Sequence, residues 1–466
     1  MYTTLMELKD SLQGIVKIKE QELQILDENT LRTSLVDDII FSAIFHKNNE
    51  IVQATKWIIK EAGRKLGIIP SSIQELYEAR GKGEIEGFTV PAINIRTLTY
   101  DVARAVLRVA IHLHVGALIF ELARSEMGYT AQSPSEYASA VIAAAIKERF
   151  SGPLFLQGDH FQFNRQNFIE TPQTEFDALK HLIQEAIEAQ FYNIDIDAST
   201  LVDLQRNTIL DQQRPNFTAT AELLQFTRAL EPDAITISVG GEIGEIGGQN
   251  STSTELRAYL TGLQQTLDIK NKKLPSVSKI SVQTGTHHGG VVLPDGTLAQ
   301  VKIDFGTLEQ LSKVAREEFN LCGVVQHGAS TLPDEAFHKF PETETAEIHL
   351  ATGFQNIIYD SKHFPIDLRN QIYAFLKENF KHERKTEQTD EQFLYKIRKR
   401  ALGPFKEEIW NLPIEAKERI GEELEAKFRF LFKQLRVTGT KKLVSETITP
   451  IEIPMTPPKS INTLIY

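Results

Sequence analysis

The sequence predicts an α/β fold, a (β/α)8 TIM barrel with helical N- and C-terminal extensions, and three observations carry that prediction. Between residues 87 and 360, eight short apolar runs alternate with stretches of helical period. Strand–helix alternation implies parallel strands, and eight units over roughly 260 residues suit a closed barrel. Polar residues able to do chemistry gather where the runs end, and those ends share one mouth in such a barrel. A doubly wound open sheet is the structural alternative, though it more often uses about five to seven strands.

Residues 1–86 read as a helical N-terminal extension with no evident strand. Leu5, Leu8, Leu12 and Ile15 keep a helical period, as do Ile51, Ala54, Trp57 and Ile58. Residues 87–360 form the barrel. Its runs are Phe88 to Asn94, Ala117 to Glu121, Leu154 to His160, Asn193 to Asp197, Ala234 to Val239, Lys279 to Thr284, Cys322 to His327, and Glu347 to Leu350. Helices at Thr174 and Thr252 open on capping-box patterns, with Asp177 and Glu255 three places on. Residues 361–436 return to helix. Within them Lys396, Arg398, Lys399 and Arg400 make a basic cluster, read first as a solvated face and second as a phosphate contact near the mouth. Residues 437–466 are rich in Thr, Pro and Lys and predict an extended tail, lying on a neighbouring subunit or on the body of the protein.

Composition narrows the function. The 466 residues carry a formal net charge of −11, which argues against a nucleic-acid partner. One cysteine, Cys322, excludes an internal disulfide and a CxxC zinc module, and fits a cytoplasmic protein. No secretory signal and no run of roughly 18 apolar residues is visible, so no membrane partner is expected.

The run ends bring together Asn94, Glu121, Asp159 with His160, Asp197, Glu242, His287 with His288, and His327. Three imidazoles, His160, His288 and His327, can close on one divalent ion and leave a position open for substrate, the arrangement of catalytic zinc. The glycine-rich stretch from Gly240 to Gly248 matches neither GxGxxG nor a P-loop. Its two acids would repel a phosphate, so Glu242 is read as a metal ligand or a carboxylate behind one. Ser330 and Thr352 follow the seventh and eighth runs, where barrel enzymes often bind phosphate at helix starts. His112, His114, His181, His338, His363 and His382 fall on helices or loops and read as surface or packing residues. Cys322 reads as a small buried hydrophobe, and Trp57 and Trp410 as packing anchors.

Five of these segments, in order, resemble the class II (zinc-dependent) fructose-bisphosphate aldolase family over roughly residues 87 to 360. They are Phe88 to Asn94, Gly158-Asp159-His160, Glu242 to Gly248, Gly285 to Gly289, and Gln326 to Ser330. The resemblance implies His160, His288 and His327 as ligands of one catalytic Zn2+, with Glu242 near the metal and room for a second ion or a monovalent cation. It implies Asp159 as the group that handles the aldehyde oxygen, and Asn94, Gly289, Ser330 and Thr352 as substrate contacts.

Two departures stand out. Where the family carries a proton-abstracting acid after its Gly-Gly pair, this chain has Gln249-Asn250-Ser251, which leaves Glu245 or His287 as candidates for that role. Where the family carries Asn-x-Asp-x-Asp after the eighth strand, this chain has His349-Leu350-Ala351-Thr352-Gly353. The reading is therefore a zinc-dependent lyase that cleaves a ketose phosphate, by default fructose 1,6-bisphosphate, to dihydroxyacetone phosphate and an aldehyde. A metal-dependent lyase or isomerase on another sugar phosphate, or a non-catalytic aldolase-like partner protein, is the alternative. Barrels of this kind are commonly dimers or larger, so a homo-oligomer is expected.

Overall fold

The computed structural model describes residues 1–466 except 21, 245–248, 270–273, 286–292, 294–302 and 466. Its strands are β1 (Val16–Lys19), β2 (Glu22–Ile25), β3 (Ile68–Ser71), β4 (Val90–Asn94), β5 (Ile119–Ala123), β6 (Gly152–Gln162), β7 (Asn193–Asp197), β8 (Ser238–Gly244), β9 (Lys279–Val282), β10 (Val324–Gln326) and β11 (Glu347–Leu350). Strands β4 to β11 pair in sequence order, all parallel, and β11 returns to β4 to close the barrel. Six of the eight are buried at every position, because helices cover the outside and side chains fill the inside.

The fifth run begins later than its apolar pattern suggests. Ala234 has φ +63° and the strand starts only at Ser238, opposite Asn193. It then passes through two glycines, since a Cβ on Gly240 would strike the Asp195 carboxylate and one on Gly241 the Tyr259 hydroxyl. The helix expected from Thr174 starts earlier, at Pro172, whereas Thr252 and Glu255 do exchange backbone and side-chain bonds at the start of helix Ser253–Ile269.

The expectation of an all-helical N-terminal region is corrected by three strands. β1 and β2 form an antiparallel hairpin, and β3 joins the barrel sheet itself. β6 is long enough to serve two neighbours on one edge: β3 takes Gly152 to Phe155, and β7 takes Gln157 to Gln162. Asn193 fastens the junction, accepting from Ile73 N at 2.8 Å and donating to Leu156 O at 2.9 Å. Four-residue strands carry too little periodicity to be separated from helix by pattern alone.

Helix Asn49–Lys65 packs on helix Pro134–Lys147, where a Cβ on Gly63 would come 2.6 Å from Ile142. Helix Ile414–Gln434 packs on helix Thr99–His112 and is tied there by Arg108 to Glu425 at 2.6 Å. The tail lies on the body of its own chain. Helix Thr440–Thr447 interrupts it, Met455 O accepts from the Trp57 indole at 3.0 Å, and Ile461 and Leu464 are buried. Among the described residues no helix is long and apolar enough to cross a membrane.

Candidate metal and substrate site

The site begins with an irregularity in β6. Neighbouring residues of a regular strand point to opposite faces, so Asp159 and His160 should not share a cavity. Here the register with β7 slips between Gly158 and Phe161, and His160 adopts φ +43°. The bulge turns both side chains to the mouth, where they line a cavity of about 940 Å³.

Two of the three expected histidines meet there. The rings of His160 and His327 lie edge to face with centroids 4.0 Å apart. Ligand atoms of His160, His327 and Glu242 all fall within 4.8 Å of one another, a nitrogen and oxygen set that fits a divalent metal. His160 Nδ1 lies 3.1 Å from Asp197 Oδ2 and 3.2 Å from Glu242 Oε2, which fixes the ring and turns Nε2 toward Asp159, 3.8 Å away. Asp197 is itself held by Ser199 N at 3.0 Å and Ser199 Oγ at 2.6 Å. His288, Gly289, Glu245 and His287 lie outside the described residues.

A residue not singled out as a ligand, His349, completes the cluster. Its ring stacks on His327 at 4.2 Å, with Nδ1 3.0 Å from Asp159 Oδ1 and Nε2 2.6 Å from Glu347 Oε1. Asp159, His327 and His349 form a second group within metal-ligating distance. The signal was present in the sequence: Glu347 and His349 alternate in a strand and so share its inner face.

Below the mouth the barrel interior is polar. Lys279 Nζ reaches Glu347 Oε1 at 2.5 Å, Gln157 Oε1 at 2.7 Å and Asp195 Oδ1 at 3.1 Å. Gln157 donates to Glu121 Oε2 and Glu347 Oε1, both at 2.9 Å, and the Tyr77 hydroxyl donates to Glu347. Burial pushes Asp195 up to about 6, although Lys279 opposes it, and pushes Glu242 up to about 7, with Asp197 adding to the effect. Burial also disfavours charge at Asp159, but His160 and His349 outweigh it and hold that carboxyl well below its usual range. At His160 burial is likewise outweighed, here by Asp159 and Glu242, so positive charge is favoured where a cation would sit.

Asn94 Nδ2 donates to Asp159 Oδ2 and to Glu126 Oε2, both at 3.0 Å. Arg96 binds Glu126 at 2.6 Å and donates to Thr352 Oγ1 at 3.0 Å. Ser330 Oγ accepts from Gly353 N at 3.0 Å, at the start of helix Thr352–Asp360. Asn94, Ser330 and Thr352 all line the cavity.

The basic cluster divides, which corrects its reading as a solvated face. Lys396, Lys399 and Arg400 line the same cavity from helix Asp390–Ile397 and the 3-10 turn after it. Arg398 turns away to Asp360 at 2.6 Å and Asn356 at 2.6 Å. The C-terminal extension thus places basic side chains over the barrel mouth, although burial, and then the charge of Arg96, lower the Lys399 pKa.

The family model for fructose-bisphosphate aldolase class-II matches residues 72–409. The chain belongs to the class II fructose-bisphosphate aldolase family. Among solved structures it is similar to the fructuronate-tagaturonate epimerase UxaE from Cohnella laeviribosi, at 10% identity and a TM-score of 0.55, covering 91% of this chain and 90% of that one. It is also similar to a protein from Sinorhizobium meliloti 1021 named a probable tagatose 6 phosphate kinase (15% identity, 81% and 97% covered, TM-score 0.50). A third is fructose-bisphosphate aldolase from Campylobacter jejuni (16% identity, 80% and 97% covered, TM-score 0.48). At these identities the likeness concerns the fold. A search of curated proteins finds no match. The family is generally metal-dependent, which agrees with the donor set at the mouth of this aldolase-family barrel.

Proposed function

We propose that this protein is a zinc-dependent lyase that cleaves the carbon–carbon bond of a phosphorylated ketose by a retro-aldol reaction, in the cytoplasm. The observation that supports it best is the meeting of His160, His327 and Glu242 beside an ionised Asp159 at the barrel mouth. His288 is proposed as the third imidazole of the set. A divalent ion held by these groups supplies Lewis-acid polarisation of the substrate carbonyl.

The chain's own residues do the rest. Asp159 takes the proton from the hydroxyl whose oxygen becomes the aldehyde, and Asn94 and His349 hold its carboxylate in place. Glu245 is proposed to return a proton to the carbon left behind, since Asn250 cannot. Ser330, Gly289 and Thr352 receive one phosphate. Arg96, which donates to Thr352, and Lys399 and Arg400 line the same cavity and supply positive charge that matches an anionic substrate end.

The test is a coupled assay for dihydroxyacetone phosphate over a panel of phosphorylated ketoses, with and without chelator. Turnover that chelator abolishes and zinc restores supports the reading. Zinc binding without release of a three-carbon fragment from any of them sinks it.

A second reading is favoured by the replacement of the family's eighth-strand asparagine by His349 and of its two acids by Ala351 and Gly353. Cleavage followed by re-addition to the other face of the retained aldehyde makes the enzyme an epimerase. Product analysis separates the two, as an epimer forms without a free aldehyde that a trapping dehydrogenase can consume.

A further inference from the structure

Away from the barrel mouth lies a second cavity, of about 650 Å³, within the size range of small-molecule sites. It opens between helix Asn49–Lys65, the start of helix Pro134–Lys147, the end of helix Pro172–Glu188 and the C-terminal tail. Trp57, Ile187, Tyr192, Ile453 and Pro454 give it apolar walls. The tail is fixed across it by three bonds: Trp57 Nε1 to Met455 O at 3.0 Å, Met455 N to Glu61 Oε1 at 2.7 Å, and Gln190 Nε2 to Ile453 O at 3.4 Å.

Lys60 lines this cavity with only 6% of its surface exposed, and it makes no hydrogen bond or ion pair among the described residues. Lys56, one helical turn earlier, lines it as well. Two carboxylates share the wall but are engaged along their own helix, Glu185 with His181 at 3.4 Å and Glu188 with Gln184 at 2.9 Å. Burial first, and then the like charge of Lys56, lower the Lys60 pKa to about 8, and no carboxylate acts on it. Glu136 acts on Lys56, with Lys406 opposing it, so Lys60 is the cation of this wall that no carboxylate meets.

An uncompensated ammonium in a largely apolar cavity is costly, and an anion in the adjoining space removes the cost. Two ammonium groups one helical turn apart match a dianion better than a single carboxylate. We infer that this cavity binds a small organic phosphate, its phosphoryl group between Lys56 and Lys60 and its apolar body against Trp57 and Tyr192. The site is separate from the barrel mouth and does not depend on the reaction proposed there.

The chain has two tryptophans, so a Trp410→Phe background leaves Trp57 as a reporter within the cavity wall. Phenyl phosphate is the probe. The expected result is a saturable change in Trp57 emission, with Kd raised at least tenfold by Lys60→Met and by Lys60→Gln, and unchanged by Lys399→Met at the mouth. No saturable change, an equal response to benzyl alcohol, or a Kd that neither Lys60 variant alters would overturn the inference. Thermal melts of each variant establish that the Lys60 proteins are folded.

Discussion

Two buried lysines in this protein have opposite surroundings. Lys279 is inaccessible at the centre of the barrel, yet Asp195, Gln157 and Glu347 all lie within 3.1 Å of its ammonium, and its pKa stays raised because the Asp195 and Glu347 carboxylates outweigh the burial that would lower it. Lys60 is nearly as buried beneath the C-terminal tail, has no carboxylate acting on it, and falls to about 8. Burial alone therefore does not decide whether a charge is tolerated; the partners do. In the barrel the charges are fixed to hold the catalytic groups, whereas at the flank one is left for an outside ion to meet.

The strongest way to break this contrast is Lys279→Met. It leaves Glu347 and Asp195 without the ammonium that both contact, and unfolding in urea should show a loss of roughly 3–5 kcal/mol. A stability change within about 0.5 kcal/mol would mean that the interior network does not depend on that charge.

Lys60→Met should act in the other direction. A lysine whose folded pKa lies near 8 binds fewer protons folded than unfolded between that pH and its ordinary value near 10.4. The wild type therefore gains stability as pH rises through this window, and below pH 8 it carries the whole penalty. The variant should be more stable by roughly 3 kcal/mol below pH 8, with the gap closing toward pH 10.4. The Lys279 contribution should stay level over the same window because its pKa is raised. A gap for Lys60→Met that does not narrow in alkali removes the contrast.

Asp197→Asn sharpens it on the metal side. The carboxylate orients His160 through Nδ1, so zinc affinity, read by competition with a chromophoric chelator, should fall about 10- to 100-fold while the fold is kept. The smallest effect is expected for Trp57→Phe, which removes the indole bond to Met455 O. It should cost about 1 kcal/mol and make the tail more open to limited proteolysis, with no change at the barrel mouth.

Much of the barrel was legible because its signals are local. Seven of the eight apolar runs coincide closely with observed strands, and the fifth starts late because Ala234 takes a left-handed turn before pairing begins. The N-terminal strands are not legible in the same way, because four residues such as Ile68 to Ser71 do not distinguish strand from buried helix, and the partner of β3 in β6 lies about eighty residues away. At the candidate site, the side chains of Asp159, His160, Glu242 and His327, which stand at run ends in the sequence, come together at the mouth. His349 interrupts the family pattern, yet its alternation with Glu347 puts it inside the barrel. The cationic face of Lys396, Lys399 and Arg400 looked like any solvated helix until the extension was seen folded over the mouth.

By itself the sequence determined the alternation of strand and helix, the parallel sheet that follows from it, and the presence of metal-binding side chains at the ends of that sheet. These rest on spacing and residue type, which act over a few neighbours. The tertiary structure alone decided that Asp159 and His160 face the same way, since a bulge and a left-handed φ override the strand's alternation. It also decided that one buried lysine is compensated and another is not, because the charges that meet an ammonium come from segments far apart in the chain.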